Sequence, residues 1–344
     1  MILPTPSVSP SMTAIAPTPQ PTNAPQPSMT PIPSPPAEPE ISLAFVGDVM
    51  LARSIGERIV SDGANLPFAG VRDELRSADL TIANLECVVA DAGVPAPKAY
   101  RFLAPPASIA SLTDAGIDLV SLANNHSLDW GDAALLETQH LLNDAKIGFV
   151  GSGANVDQAH VPLIIERNGM KLAFLAYVNV PIEVGGFDTA TWTATDTSAG
   201  VAWAEPEQIR QDIAAIKPNV DHVIVLLHSG YEGQDTPNEI QRTNAYAALD
   251  AGATLVIGAH PHVLQGYERR DTGQLIAWSL GNFVFDGFEG TPSTDSAILH
   301  ITLDRTGVTN MRWTPVRIED GFPIALDPNG EGAAIFARIE ELSK

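Results

Sequence analysis

Apolar residues along this chain gather into short continuous runs, and each run stops at a polar cluster. ISLAFVGDV (41–49) stops at Gly-Asp, DLTIANLE (79–86) at Asn-Leu-Glu, and IDLVSLANNHSLDWG (117–131) at Asn-Asn-His. DHVIVLLHSG (221–230) stops at one histidine, ATLVIGAHPH (253–262) at two, and LIAWSLGNFVFD (275–286) at Gly-Asn. Continuous runs of this length predict strands buried on both faces. Helical patterns lie between several of them. GDAALLETQHLLNDA (131–145) carries Leu135, Leu136, Leu141 and Leu142, and PEQIRQDIAAI (206–216) carries Ile209, Ile213 and Ile216. NEIQRTNAYAALDAGA (238–253) reads as a helix stopped by Gly252, and the tail EGAAIFARIEELSK as a closing helix with Ile335, Ile339 and Leu342 on one face. VPLIIERNGMKLAFLAYV (161–178) predicts a hairpin turning at Asn168-Gly169. Strand and helix alternate, which argues an α/β fold. With no internal repeat and no second linker, residues 41–344 read as one domain.

The first 40 residues have another texture. They hold 13 of the 28 prolines and no charge before Glu38. Proline at that density removes backbone donors and blocks helix, so residues 1–40 are expected to be a disordered Pro/Ser/Thr-rich linker, partly polyproline II. They show no charged and apolar leader pattern, and no run elsewhere approaches the roughly 20 apolar residues of a membrane span. A stalk of this kind suits an extracytoplasmic, envelope-associated domain whose signal or anchor lies upstream of this chain.

Charge narrows the partners. The formal net charge is -22, although only 17% of residues are charged. Such a surface repels phosphate backbones, which argues against nucleic acid, and repels an acidic polymer unless cations intervene. The single cysteine, Cys87, rules out a disulfide framework and a multi-cysteine zinc cluster; it reads as a small buried hydrophobe.

The strand ends carry the candidate chemistry. Asp48, Asn84, Glu86, Asn125, His126, His228, His260, His262 and Asn282 all follow apolar runs. The C-terminal edge of an α/β sheet is where ligands bind. One polar residue there is an ordinary turn residue; six strand ends that each finish in a metal-competent side chain point to a site. Imidazole, carboxylate and amide oxygen together suit one or two borderline divalent ions, Mn, Fe(II) or Zn, and the carboxylates are too few for a calcium cage. His260 and His262 face the same way if their segment is extended, or serve two ions if it turns. The other histidines, His140, His160, His222 and His300, lie outside these clusters and read as ordinary helix, loop or strand residues.

FVGDVMLAR, TIANLE, KAYRFLAPP, SLANNHSLDWG, LHSGYE, IGAHPHVLQG and SLGNFVFD together resemble the motifs of the CapA family of poly-gamma-glutamate capsule synthesis proteins, in the family's order, from about residue 42 to about 304. The resemblance implies the metallo-dependent phosphatase fold, a four-layer α/β/β/α sandwich. It also implies roles. Asp48, Glu86 and His262 would surround one ion, and Glu86, Asn125, His228 and His260 the other, with Glu86 bridging. His126 would act as acid near the leaving group. Met50 stands where the general phosphatase fold carries a histidine, and Glu86 where it carries a bridging aspartate. Both changes match CapA-like proteins, and the first removes a nitrogen donor from one site.

The substrate-binding candidates are Lys98, Arg101, Asn84, Glu232 and Asn282. Lys98 and Arg101 would meet an anionic polymer or a phosphorylated or glutamyl small substrate. The expected function is a metal-dependent hydrolase using metal-bound hydroxide on an ester or amide bond in envelope polymer synthesis, with membrane-bound capsule synthesis proteins as partners. The alternatives are a non-catalytic polymer-binding or export component of that machinery, and a binding module that keeps the fold without the metals. Deleting residues 1–38 should leave the melting temperature unchanged; a large drop in a calorimetric scan would show that the stalk packs on the domain.

Overall fold

The computed structural model describes residues 1, 3, 5–14, 16, 18, 39–183 and 185–344. The expected linker over 1–40 lies largely outside these residues. Glu38–Lys344 forms one compact unit, built on an eight-stranded and a six-stranded sheet.

The first sheet places Ile41–Val49 at its centre. Leu80–Leu85 and the short strand Asn282–Val284 pair with it in parallel, and Asp295–Asp304 pairs antiparallel. Leu119–Ser121 and Gly148–Val150 extend one edge in parallel; Gly307–Glu319 and Phe322–Ala325 extend the other. The second sheet has His222–Ser229 between Met170–Asn179 and Leu255–Ala259, all parallel. The expected hairpin forms, with Leu163–Arg167 against Met170–Asn179 and both Asn168 and Gly169 at positive φ. That is the backbone a tight two-residue hairpin turn needs.

Strand periodicity separates the layers. Along His222–Ser229, Ile224 and Leu226 join the large core that also holds Phe45, Ile82 and Val120 of the first sheet. Val223, Val225 and Leu227 face the other way. They pack on Ile209 and Ile213 of helix Pro206–Ile216 and on Ala245, Ala248 and Leu249 of helix Glu239–Asp250. Leu135 and Leu142 of helix Gly131–Asp144 and Ile55 and Ile59 of helix Arg53–Asp62 bury against the first sheet's side of the large core. Each fully buried Ile or Leu contributes about 1.5–3 kcal/mol. The layers are therefore helix, sheet, sheet, helix. Among the described residues no helix is long and apolar enough to cross a membrane.

One expectation is corrected. The run LIAWSLGNFVFD is not one strand. Leu275–Ala277 pairs with Leu255–Ala259 in the second sheet, whereas Asn282–Val284 pairs with Ile41–Val49 in the first. The chain crosses between sheets at 278–281, so Asn282 opens a strand rather than closing one. The crossing demands close backbone approach. Asp48 N–H donates to the Gly281 carbonyl at 3.0 Å, and a Cβ on Gly47 would lie 1.9 Å from that oxygen. Glycine at 47 is therefore what lets Asp48 stand beside Asn282.

Gly47→Ala should lower stability by about 2–3 kcal/mol, as overpacking against backbone does, a shift on the order of 3–5 °C in melting temperature for a chain of this size. A thermal scan within a degree of wild type would contradict this account.

Candidate metal centre

The parallel strands of both sheets point their C-terminal ends at the same rim, which is where the strand-end residues meet. Asp48 and Asn84 face each other in register on neighbouring strands of the first sheet. His228 closes a strand of the second sheet beside Ala259, and His260 follows at once. Asn125 and His126 lie in the loop after Leu119–Ser121. Asn124 ties that loop down: its amide donates to the Leu85 carbonyl at 2.8 Å and to Asn84 Oδ1 at 3.2 Å, and its Oδ1 accepts from His126 N–H.

Among the described residues two groups offer ligand atoms that all lie within 4.8 Å of one another: Glu86, His228 and His260, and Asp48, Glu86 and His262. Glu86 belongs to both. The two histidines of HPH do not share an extended segment. His260 has φ 95° and His262 φ 57°, a backbone that non-glycine residues adopt at a cost of about 1–3 kcal/mol. That turn sends one imidazole to each group, with ring centroids 5.8 Å apart.

The surrounding amides hold this set. Asn84 Nδ2 donates to Asp48 Oδ1 at 2.8 Å and lies 3.1 Å from His228 Nδ1, so it spans the two groups. Asn282 Oδ1 sits 2.8 Å from His262 Nδ1, and its Nδ2 donates to the carbonyls of His262 and Ser293. Asn125 Oδ1 lies 2.8 Å from His228 Nε2. Asn84 and Asn282 are thus placed as holders of the candidate ligands rather than as contacts for a substrate.

Burial dominates the electrostatics. Asp48 and Glu86 are both fully buried. Burial, reinforced by the Asp48 charge, pushes the Glu86 carboxyl well above its usual range. Burial, with the neighbouring imidazoles adding to it, pulls His228 and His260 well below theirs. His262 goes the other way: burial lowers it, but the hydrogen bond and charge of Asp48 outweigh that and raise it. Both Glu86 carboxylate oxygens and His260 Nδ1 are buried without a hydrogen-bond partner, and Glu86 Oε1 is 3.6 Å from His228 Nε2 and 3.8 Å from His262 Nε2, beyond hydrogen-bond reach. A buried acid left unpaired is costly. Oxygen and imidazole donors converging on shared, unsatisfied atoms fit a divalent cation.

His126 stands beside this centre. Its Nδ1 is 2.7 Å from Asp129 Oδ2, and its ring stacks on Phe102 with centroids 4.1 Å apart. Burial lowers its pKa against the opposing charge of Asp129. His126 and His262 line a cleft together with Glu232, Arg53, Phe285 and Phe288. Two sequence candidates fall elsewhere. Lys98 has a fully buried side chain whose ammonium bonds the Asn125 carbonyl and Glu183 and pairs with Asp129 at 2.9 Å. Arg101 is exposed and donates to the Ala96 carbonyl. The cation that does line the cleft is Arg53, which pairs with Asp286 and lies 4.8 Å from the Phe102 ring centroid. Sequence reasoning missed it, although it ends the motif FVGDVMLAR. Asp129 was also missed; its signal was a carboxylate three residues after His126.

A four-layer sandwich with carboxylate and imidazole donors at the meeting edge of its two sheets defines the metallo-dependent phosphatase type. A solved structure described as a novel phosphatase from Mycoplasma pneumoniae shares the fold at a TM-score of 0.50 and 16% identity, covering 85% of this chain and 96% of that one. The family described as bacterial capsule synthesis protein PGA_cap matches residues 42–287, and the chain belongs to it. It is 32% identical to the PGA biosynthesis protein CapA of Bacillus subtilis over 82% of this chain and 73% of the relative. It is 30% identical to the capsule biosynthesis protein CapA of Bacillus anthracis over 84% and 71%.

Mn(II) at about a hundredfold excess over its dissociation constant should stabilise the protein by about 2.7 kcal/mol. Glu86→Gln should lose that response while its metal-free form melts no lower than wild type, because a neutral amide replaces a buried, unpaired acid. An unchanged Mn(II) response in the variant, or less than about a tenth of an equivalent bound by wild type on elemental analysis, would rule the centre out.

Proposed function

We propose that this protein is a metal-dependent hydrolase of capsule polymer synthesis, acting on an ester or amide bond in a polyglutamate polymer or its precursor. The observation that carries the reading is the sharing of Glu86 by two ligand groups beside a cleft that His126 also lines. Divalent cations held by Asp48, Glu86, Asn125, His228, His260 and His262 would act as Lewis acids, making water nucleophilic and offsetting charge that develops on the scissile group.

The chain's own residues supply the rest. Asp129 accepts from Nδ1–H of His126 and leaves Nε2 unprotonated, free to take the proton released by the attacking water and hand it to the departing oxygen or nitrogen. Phe102, Phe285 and Phe288 wall the cleft and limit water. Asn84 and Asn282 keep the buried donors in place. The relatives' names support the polymer, and the Pro/Ser/Thr-rich N-terminus supports work at the envelope beside membrane-bound synthesis proteins. Simple holding of a polyanion draws less support. Among the described residues lining the cleft Arg53 is the one Lys or Arg, it is already paired with Asp286, and Glu232 adds an acid.

With Mn(II) bound, the protein should hydrolyse a nitrophenyl phosphate, a phosphodiester or a γ-glutamyl anilide. His126→Ala should keep its Mn(II) content and lose about 10²–10⁴-fold in kcat on whichever is cleaved. Equal rates in variant and wild type would remove His126 from the chemistry, and loss of metal would move it among the ligands.

A further inference from the structure

An asparagine ligand poses a problem that histidine and carboxylate do not. Its amide oxygen and nitrogen are nearly isosteric, so rotation by half a turn exchanges an acceptor for a donor at almost no steric cost. Only the oxygen can bind a cation. Whatever holds the Asn125 nitrogen therefore decides whether this residue can serve the centre.

That holder is Glu183. Asn125 Nδ2 donates to Glu183 Oε1 at 3.3 Å, which turns Oδ1 toward His228 Nε2, 2.8 Å away. Glu183 comes from the segment after strand Met170–Asn179, outside every motif quoted above, yet its side chain is only 7% exposed. A carboxylate has no N–H to offer, so it enforces one amide orientation. Lys98 fixes Glu183 in turn. Its ammonium donates to Glu183 Oε1 at 2.6 Å and to the Asn125 backbone carbonyl at 2.5 Å, so one cation sets both the acceptor and the backbone of the residue it orients. Trp192, beyond the same segment, lies under the ammonium with its ring centroid 4.8 Å away, and Thr189 donates to the same Glu183 oxygen at 3.1 Å. The third neighbour of Lys98 is Asp129, the carboxylate that holds His126.

We infer that the buried Lys98–Glu183 pair is a positioning device for the metal centre: Glu183 orients the Asn125 amide oxygen toward the Glu86, His228 and His260 group, and Lys98 anchors Glu183 there. The inference rests on the reading of those residues as metal ligands and adds to it a selective consequence. Disturbing Glu183 weakens the ion held with Asn125 and spares the ion held by Asp48, Glu86 and His262.

The test is Mn(II) titration by calorimetry, with electron paramagnetic resonance to detect a spin-coupled pair of ions. Glu183→Gln is nearly isosteric and keeps an oxygen for Lys98, but it also brings an amide donor and lets Asn125 turn over. It should weaken one of two Mn(II) affinities about 10-fold, the scale of outer-shell substitutions at metal sites, leave the other unchanged, and diminish the coupled signal at equal loading. Thr191→Val, in the same segment, removes an exposed hydroxyl that bonds only the Asp188 carbonyl and should leave both affinities at wild-type values. Unaltered Mn(II) binding in Glu183→Gln, while wild type binds, overturns the inference and leaves the metal centre standing. An equal loss at both sites with a lower metal-free melting temperature also overturns it, since that is what a purely structural role would give. Absence of Mn(II) binding by wild type overturns the metal reading and this inference together.

Discussion

The organisation of this protein turns on one buried carboxylate. Glu86 is fully enclosed, both its oxygens lack a hydrogen-bond partner, and Asp48 and three imidazoles crowd around it. A group in that position is a liability for folding unless positive charge answers it. Burial, reinforced by the Asp48 charge, disfavours its ionised form and pushes its pKa well above the usual range. A divalent cation would answer more fully, with the second acid and the imidazoles as further candidate donors.

Placing that carboxylate among its neighbours requires the two stacked sheets to bring the C-terminal ends of their parallel strands to one rim. Gly47 admits the Gly281 carbonyl where a side chain would collide, and the strand containing Asn282 then lies beside Asp48. The turn through His260 and His262 is held at positive φ in both histidines. Backbone of that kind persists only where its surroundings over-determine it, and here Asp48 Oδ2 accepts from the His260 N–H at 3.3 Å while the Asn282 amide donates to the His262 carbonyl. Met50 shows the other half of the arrangement. It is fully buried, and its sulfur lies 3.1 Å from the Ala52 N–H, so it packs as core and offers the centre no nitrogen. The group around Asp48 is left with two carboxylates and one imidazole.

Outside the ligands, charge is spent on geometry rather than on attraction. Lys98 is consumed by Asp129, Glu183 and a carbonyl, and Arg53 by Asp286 and two aromatic faces. Little positive charge remains at the cleft, in keeping with a net charge of -22. Affinity for an acidic substrate would then depend on cations held at the Glu86 cluster, which ties recognition and chemistry to the same few side chains. Membership of the capsule synthesis family agrees with such a use.

The amino-acid sequence by itself determined the alternation of strand and helix, because apolar period and turn residues are local properties; the Asn168-Gly169 hairpin and the helices 131–144, 206–216 and 239–250 follow from them. It also determined which residue types stand at strand ends, and so which side chains were candidates to bind an ion. Tertiary structure alone decided where the run 275–286 changes sheets, since an apolar stretch carries no mark of which partner strand it will meet. It alone separated Lys98 from Arg53 as cations, because burial of a charge depends on partners dozens of residues away. Glu183 was invisible for the same reason: what makes it consequential is contact with Asn125 and Lys98, 58 and 85 residues distant along the chain, and no local pattern encodes that meeting.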